Sequence, residues 1–174
     1  FQAALTANPQ AADAAYYLGV AHIGADDLVS AQAAFNRAIS LEPQFAPGYL
    51  GRAQVGIALG ADASAIITDF NTATLLDPNF IDAYLGRAVF NMQRGNYEDA
   101  EEDIAAAEEL DPQSALVQYR KAVVALAQQQ YSIALEAAFA ALDLDVTLLP
   151  AYLAKAEAEQ GMALYQESVA TMQT

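Results

Sequence analysis

The 174-residue chain contains no cysteine and no tryptophan, one histidine, and seven basic against 22 acidic side chains. The lack of cysteine excludes disulfides and thiolate metal sites. The formal net charge of −15 repels nucleic-acid phosphates and anionic lipid, so we expect neither nucleic acid nor a membrane surface as partner. The apolar runs are too short and too interrupted for membrane insertion. A basic or apolar protein partner fits this composition better.

The chain also lacks the motifs of an active site. His22 is the only histidine, and there is neither a glycine-rich phosphate loop nor an H-E-x-x-H zinc motif. The acidic run 98–103 is typical of a solvated helix face, with calcium or a basic partner as the alternative. Asp143 and Asp145 resemble a metal pair, but their position at a segment end favours a structural role. We therefore predict no enzyme activity, no catalytic residue, no metal and no cofactor.

What the chain does have is a repeat. Asn8-Pro9, Glu42-Pro43, Asp77-Pro78 and Asp111-Pro112 place prolines 34, 35 and 34 residues apart, and Asp145-Val146 occupies the next slot without proline. An alanine stands five positions before the second residue of every slot. A period of this size is typical of helical solenoids, whose function follows from a surface rather than from a catalytic pocket.

Each period is predicted to contain two amphipathic helices. In the clearest one, a helix over 83–94 is followed by the turn formers Gly95-Asn96 and a second helix over 97–110. The other predicted pairs are 12–25 with 28–41, 46–59 with 62–76, 114–128 with 131–144, and 149–161 with 165–174. The chain is then a single all-α array: 1–11 ends one repeat, 12–45, 46–80, 81–114 and 115–148 are full repeats, and 149–174 is partial.

Two sets of small residues should allow the paired helices to cross closely. Gly19, Ala53, Ala88, Ala122 and Ala156 are expected to face Ala31, Ala65, Ala100, Ala134 and Ser168. A third column, Phe1, Phe35, Phe70, Ile104 and Ala138, should fill the gap to the next repeat. The second repeat has one extra residue between Ala65 and Phe70, which predicts a local bulge in that helix.

A basic residue recurs in the first helix of four repeats: Arg52, Arg87, Lys121 and Lys155. Asp69 and Asp103 precede Arg87 and Lys121 by 18 residues, which favours ion pairs between successive repeats. The alternative is a site that recruits an acidic ligand.

Together these columns resemble the tetratricopeptide repeat, a 34-residue helix–turn–helix family, over the whole chain. The best unit, 83–112, has Tyr84, Ala88, Gly95, Tyr97 and Ala100 at the family's positions, then Ala107 and the terminal Asp-Pro. Departures are Ala15 and Gln118 in place of the first aromatic, Gln129 in place of glycine, and Val146 in place of proline. The resemblance implies a right-handed α-solenoid of stacked antiparallel helix pairs.

The resemblance also implies a concave groove lined by the first helix of every repeat, with His22 in an inter-repeat packing position. Lysine and asparagine, which the family uses to clamp an acidic C-terminal peptide, are replaced by Tyr16 and Val20, then by Leu50 and Gln54. The resulting groove is largely apolar, and its residues are Tyr16, Val20, Ile23, Leu50, Gln54, Ile57, Leu85, Val89, Met92, Tyr119, Val123, Leu126, Leu153 and Glu157.

We expect a non-enzymatic scaffold that binds a peptide or helical segment in this groove. Tyr16, Leu85, Met92, Tyr119 and Val123 are the predicted anchors, unless neighbouring helices cover much of the stripe. The alternatives are a recruitment or regulatory arm of a larger enzyme, and a structural module that associates with itself. Both ends of the chain fall inside predicted repeats, so we expect residues 1–174 to belong to a longer array.

Overall fold

The computed structural model describes the backbone of residues 11–172 and the side chains of residues 11–164. This part of the chain contains nine α-helices and no β-strand. They are α1 (Ala12–Gly24), α2 (Leu28–Leu41), α3 (Ala46–Leu59), α4 (Ala63–Leu76), α5 (Ile81–Gln93), α6 (Tyr97–Leu110), α7 (Ala115–Ala127), α8 (Tyr131–Leu144) and α9 (Leu149–Met172). None of these helices combines the length and the apolar character needed to cross a bilayer.

Three-residue turns join the two helices of a pair, and each turn contains one residue with positive φ. Gly60 and Gly95 have φ of 69° and 80°, a region that glycine enters without a steric penalty. Asp26 and Gln129 occupy the same place in the first and fourth repeats, with φ of 58° and 59°. The loss of glycine at Gln129 therefore leaves the turn geometry intact.

The ends of three repeats are closed by aspartate side chains. Oδ1 of Asp77, Asp111 and Asp145 accepts a hydrogen bond from the backbone N–H two residues later, at 3.0, 3.1 and 2.8 Å. Such Asx turns stop a helix without a following proline. Val146 can therefore replace proline, because Asp145 also accepts a bond of 2.7 Å from the hydroxyl of Thr147. This arrangement agrees with the structural interpretation of Asp145, whereas Asp143 takes no part in it.

The extra residue of the second repeat does not form a bulge. Helix α4 is regular over 14 residues, and the additional residue lies in the preceding turn, where two residues instead of one separate Gly60 from Ala63. The shift moves Ile66 into the helical position held by Ala31 and Ala100. Ile66 is buried and Ala65 is exposed, so the predicted role of Ala65 in the helix crossing is wrong.

The last helix also differs from the prediction. A break between 161 and 165 was expected, but α9 continues over 24 residues from Leu149 to Met172. The place of the positive-φ residue is taken there by Ala163, a strong helix former. Because α9 does not turn back, Ala156 is exposed instead of lying in a helix crossing. Phe1, Ala4 and the Asn8-Pro9 slot, together with the side chain of Ser168, lie outside the described residues.

The chain divides into two compact units, the first ending at Gly86 and the second beginning at Arg87. In the first unit, α1 packs on α2 and α3 on α4, and α2 also packs on α3. Its core contains Phe35, which is fully buried between Gly19 and Gly51, and Phe70, which lies against Gly86. These contacts confirm that Phe35 and Phe70 fill the space beside the following repeat.

In the second unit, α7 packs on α6 and α8, and α9 packs on both α7 and α8. Its core is built from alanine: Ala122, Ala137, Ala138 and Ala154 form one buried cluster, and Ala125, Ala134 and Ala158 another. Small side chains of this kind let helices approach closely.

Candidate functional site

The predicted groove residues of the first unit lie at different depths. Val20, Ile23 and Ile57 are exposed to 42%, 37% and 37%, whereas Leu50 and Leu85 are exposed to only 5% and 4%. Gln54 is exposed as well. Leu50 and Leu85 therefore contribute to the interior, and the three exposed side chains form the apolar part of the predicted groove that remains accessible in this unit.

The exposure of Tyr16 is intermediate between those of the exposed and the buried groove residues. Its ring is 5.7 Å from the rings of both Phe35 and Phe45, measured between centroids. Burial, followed by the charges of Tyr17 and Asp82, raises the pKa of the Tyr16 hydroxyl above its ordinary value. The hydroxyl thus stays neutral, and the ring is first of all a packing element.

In the second unit the structure brings six predicted groove residues together around one depression of about 390 Å³. Its walls are Met92, Tyr119, Val123, Leu126, Ala127, Pro150, Leu153, Ala154 and Glu157. Val89, the remaining predicted residue, is half-buried and does not line it.

Helical spacing explains how these side chains meet. Tyr119, Val123 and Leu126 are separated by four and three residues and therefore share one face of α7. Leu153 and Glu157 are likewise one turn apart on α9, which packs against α7. Leu153 is 73% exposed, so it offers most of its side chain to an incoming molecule.

The chemistry of this depression is simple. Apolar walls carry one carboxylate, Glu157, and the lining contains no basic side chain. Such a surface can bury apolar side chains and attract a nearby cation, but it provides no cationic donor that would pair with a carboxylate. The lining also holds no histidine that could act as a general base. In the part of the chain that the structure describes, no group of three or more acidic or histidine side chains could hold a metal ion.

The basic column forms ion pairs, but mostly not those predicted. Arg52 binds Asp69 at 2.8 and 2.6 Å, and Arg87 binds Asp103 at 2.6 to 3.1 Å, so both aspartates bind the arginine of their own repeat. The reason is that the arginine and the aspartate face each other across the helix crossing within a repeat.

Contacts with the preceding repeat come from other residues. Arg52 Nη1 donates to the amide oxygen of Asn36 at 3.0 Å, and Lys121 Nζ binds Glu108 at 2.9 and 3.0 Å. Lys155 Nζ is 3.5 Å from Glu159 on its own helix. The column is thus engaged in structural contacts.

Burial and ion pairing have opposite effects on the pKa of the Asp103 carboxyl. Burial raises the pKa of its carboxyl, and the hydrogen bonds and charge of Arg87 only partly offset this effect. The other acids of the run 98–103 are exposed, as a solvated face requires. His22 is half-buried at the end of α1, with Nδ1 3.5 Å from Asp27.

A second depression in the second unit was not predicted. It has a volume of about 530 Å³ and is lined by Glu108, Pro112, Gln113, Gln118, Lys121, Ile133, Glu136, Ala137, Ala140, Asp143 and Leu144. None of these residues lines the groove depression. The signal in the sequence was Gln118, which departs from the aromatic residue expected at its position.

The fold and these surfaces define an all-α helical-repeat solenoid. The sequence profile of the tetratricopeptide repeat family matches residues 1–48, 67–115 and 85–148, so the chain belongs to this family. That fold serves as a scaffold for protein–protein interaction, and tetratricopeptide repeat proteins are generally non-enzymatic. No curated protein matches the chain.

Solved structures share the fold at low sequence identity. The chain is 21% identical to a chain of the Cut9–Hcn1 hetero-tetramer of the APC/C, with a TM-score of 0.82 over 93% of this chain, but it spans only 32% of that chain. TTC0263, a tetratricopeptide repeat protein of Thermus thermophilus, is 20% identical at a TM-score of 0.82, covering 91% and 87% of the two chains. MamA is 18% identical at a TM-score of 0.70, covering 93% and 88%.

Proposed function

We propose that the protein is a scaffold that binds an apolar peptide or helical segment of a partner on the first helices of its repeats. The depression around Leu153 is the observation that carries this proposal. It gathers five predicted apolar groove residues on one open surface, and a side chain as exposed as Leu153 gains most from being covered.

The first unit offers a smaller surface of the same character. Val20, Ile23 and Ile57 are its exposed apolar residues, while Leu50 and Leu85 are too deeply buried to meet a partner. The best anchors are therefore Leu153, Met92, Tyr119 and Val123 in the second unit. Tyrosine and methionine suit a surface that adapts to a bound segment.

Affinity capture from the native lysate tests this function. The wild-type chain is compared with Leu153→Glu, which places a charge in the depression, and with Leu75→Glu, a control at a residue of α4 that is 80% exposed and outside the groove. Circular dichroism establishes that all three chains are folded. A partner retained by the control and lost from Leu153→Glu supports the groove; equal capture by all three chains overturns it.

Self-association is a second candidate, because α9 has an apolar stripe of its own. Leu149, Leu153 and Leu164 are exposed to 74%, 73% and 59%, and their spacing places them within one side of the helix. A second copy could cover this stripe. Sedimentation velocity over a range of concentrations measures it, and a mass that stays monomeric at all of them contradicts this candidate.

A further inference from the structure

The second depression lies where the fourth repeat has Gln118 in place of the tyrosine that other repeats carry. Tyr49 and Tyr152 occupy equivalent positions in the first helices of two repeats, and their hydroxyls donate to backbone carbonyls six residues earlier, at 3.0 and 3.1 Å. Gln118 stands at this position in the fourth repeat. Its shorter side chain turns to Glu108 instead, with Nε2 donating to Oε1 at 2.9 Å. The surface beside it opens into the 530 Å³ cavity.

Gln118 has hydrogen-bonding capacity left over. The residue is only 8% exposed, and its amide oxygen has no donor among the described residues. In that part of the chain, every fully enclosed side-chain polar atom has a hydrogen-bond partner. The oxygen of Gln118 is therefore open to the cavity, where it can accept a hydrogen bond from an N–H donor.

The charges around the cavity also favour a cation. Lys121 is the only basic residue of the lining, and Glu108 already binds it. Glu136 and Asp143 on α8 contribute two further negative charges, and neither forms an ion pair or a hydrogen bond with a described residue. They lie two helical turns apart, about 10 Å along the axis. A ligand that satisfies both must be extended and carry more than one positive charge.

We propose that this cavity is a second binding site, which takes an extended protein segment with basic side chains next to an apolar one. The basic side chains would meet Glu136, Asp143 and the Gln118 oxygen, while Ile133 and Leu144 would cover the apolar side chain. A metal ion fits less well, because these carboxylates do not converge on one point. The site is independent of the groove, with which it shares no residue.

The test is a titration of the ¹⁵N-labelled chain with the peptide acetyl-Leu-Arg-Leu-Lys-Leu-amide, followed by NMR, with a glutamine-substituted peptide as the neutral probe. We expect shifts of the Gln118 side-chain amide and of the backbone of α8. Gln118→Tyr, which restores the residue of the sister repeats, should weaken binding by about tenfold or more. Glu136→Gln with Asp143→Asn should do the same without filling the cavity.

The matched control is Glu98→Gln with Glu102→Gln, which removes two charges from exposed positions of α6. This variant should bind within about twofold of the wild type, since distant exposed charges are screened. Equal weakening by both charge variants would reduce the effect to general electrostatic attraction and overturn the site. Unchanged binding by Gln118→Tyr, shifts caused by calcium alone, or shifts that follow protein concentration without peptide would overturn it as well.

Discussion

The two units fill the space between the first helices of successive repeats with different side chains. In the first unit a phenylalanine ring fills the space between successive first helices, and glycine makes room for it: a β-carbon at Gly51 would lie 2.5 Å from Phe35 Cε1, and one at Gly86 would lie 2.7 Å from Phe70 Cε1. In the second unit Ala138 and Ala154 hold the corresponding positions and belong to one alanine cluster. One repeat pattern thus accommodates either a phenylalanine facing a glycine or two alanines facing each other.

This difference reaches the surface. Ala137 of the alanine cluster also lines the cavity beside Gln118, together with Ala140. Depressions of 530 and 390 Å³ lie in the second unit, and one of 310 Å³ lies in the first. Ala137 and Ala154 of the alanine cluster thus line the two depressions of the second unit.

The largest effect is expected at the ion pairs, which both units possess. Asp103 is 5% exposed and Arg87 20%, against 10% and 31% for Asp69 and Arg52. Arg87→Met leaves a buried carboxylate without its cation and should lower the free energy of unfolding by about 3 kcal/mol. Arg52→Met should cost less, because its pair is more exposed. Urea denaturation at neutral pH measures both values.

The pH dependence of Arg87→Met follows from Asp103. Burial already raises the pKa of this carboxyl, and loss of Arg87 raises it further. A raised pKa in the folded state means that protonation favours folding, so the loss in Arg87→Met should shrink as the pH falls. The double variant Arg87→Met with Asp103→Leu should recover stability at neutral pH. A loss independent of pH, or no recovery in the double variant, contradicts this account.

The second effect concerns glycine. Gly51→Ala increases helix propensity, yet it should destabilise the first unit by about 1–3 kcal/mol, because the new methyl group meets the rigid ring of Phe35. Gly24→Ala is the control, since nothing lies within 4 Å of a β-carbon there. Thermal unfolding should show a lower melting temperature for Gly51→Ala alone. Equal behaviour of the two variants would contradict the proposed packing.

A smaller effect on stability is expected at the positive-φ residues of the turns, where two turns have glycine and two do not. Gln129 adopts positive φ at a cost that glycine avoids, so Gln129→Gly should stabilise the second unit by about 1 kcal/mol. Gly95→Gln, the reverse change in a turn of the same geometry, should destabilise by a similar amount. The two shifts in the midpoint of urea unfolding are then opposite in sign; shifts of the same sign would show that other contacts dominate.

The repeat made most of the fold predictable, because the period, the turn residues and the helix-ending slots are local signals. The sequence did not predict the helical register after an inserted residue, nor which of two arginines an aspartate would bind. Because of one extra residue before Ala63, Ile66 takes the buried position in the helix crossing that was predicted for Ala65. The local sequence does not indicate whether an inserted residue lies in the helix or in the turn. Asp69 binds Arg52 across a helix crossing. Sequence separation alone does not show that Arg52 is a better partner for Asp69 than Arg87. The exposure of Leu153 and the burial of Leu85 likewise depend on neighbours that the repeat pattern does not specify.

The smallest effect tests the polar contact that takes the place of the tyrosine hydroxyl bond in the fourth repeat. Hydrogen bonds from Gln118 and then from Lys121 lower the pKa of Glu108 below its ordinary value. A lowered pKa in the folded state gives stability that is present above about pH 4.5 and is lost as the pH falls through the folded pKa.

Glu108→Gln should remove this part of the acid sensitivity, so its melting temperature should decline less between pH 5 and about pH 3 than that of the wild type. Glu109→Gln, one residue further along α6 and exposed, is the matched control and should follow the wild-type curve. If Glu108→Gln follows the wild-type curve as well, the contact of Glu108 with Gln118 and Lys121 contributes nothing to stability.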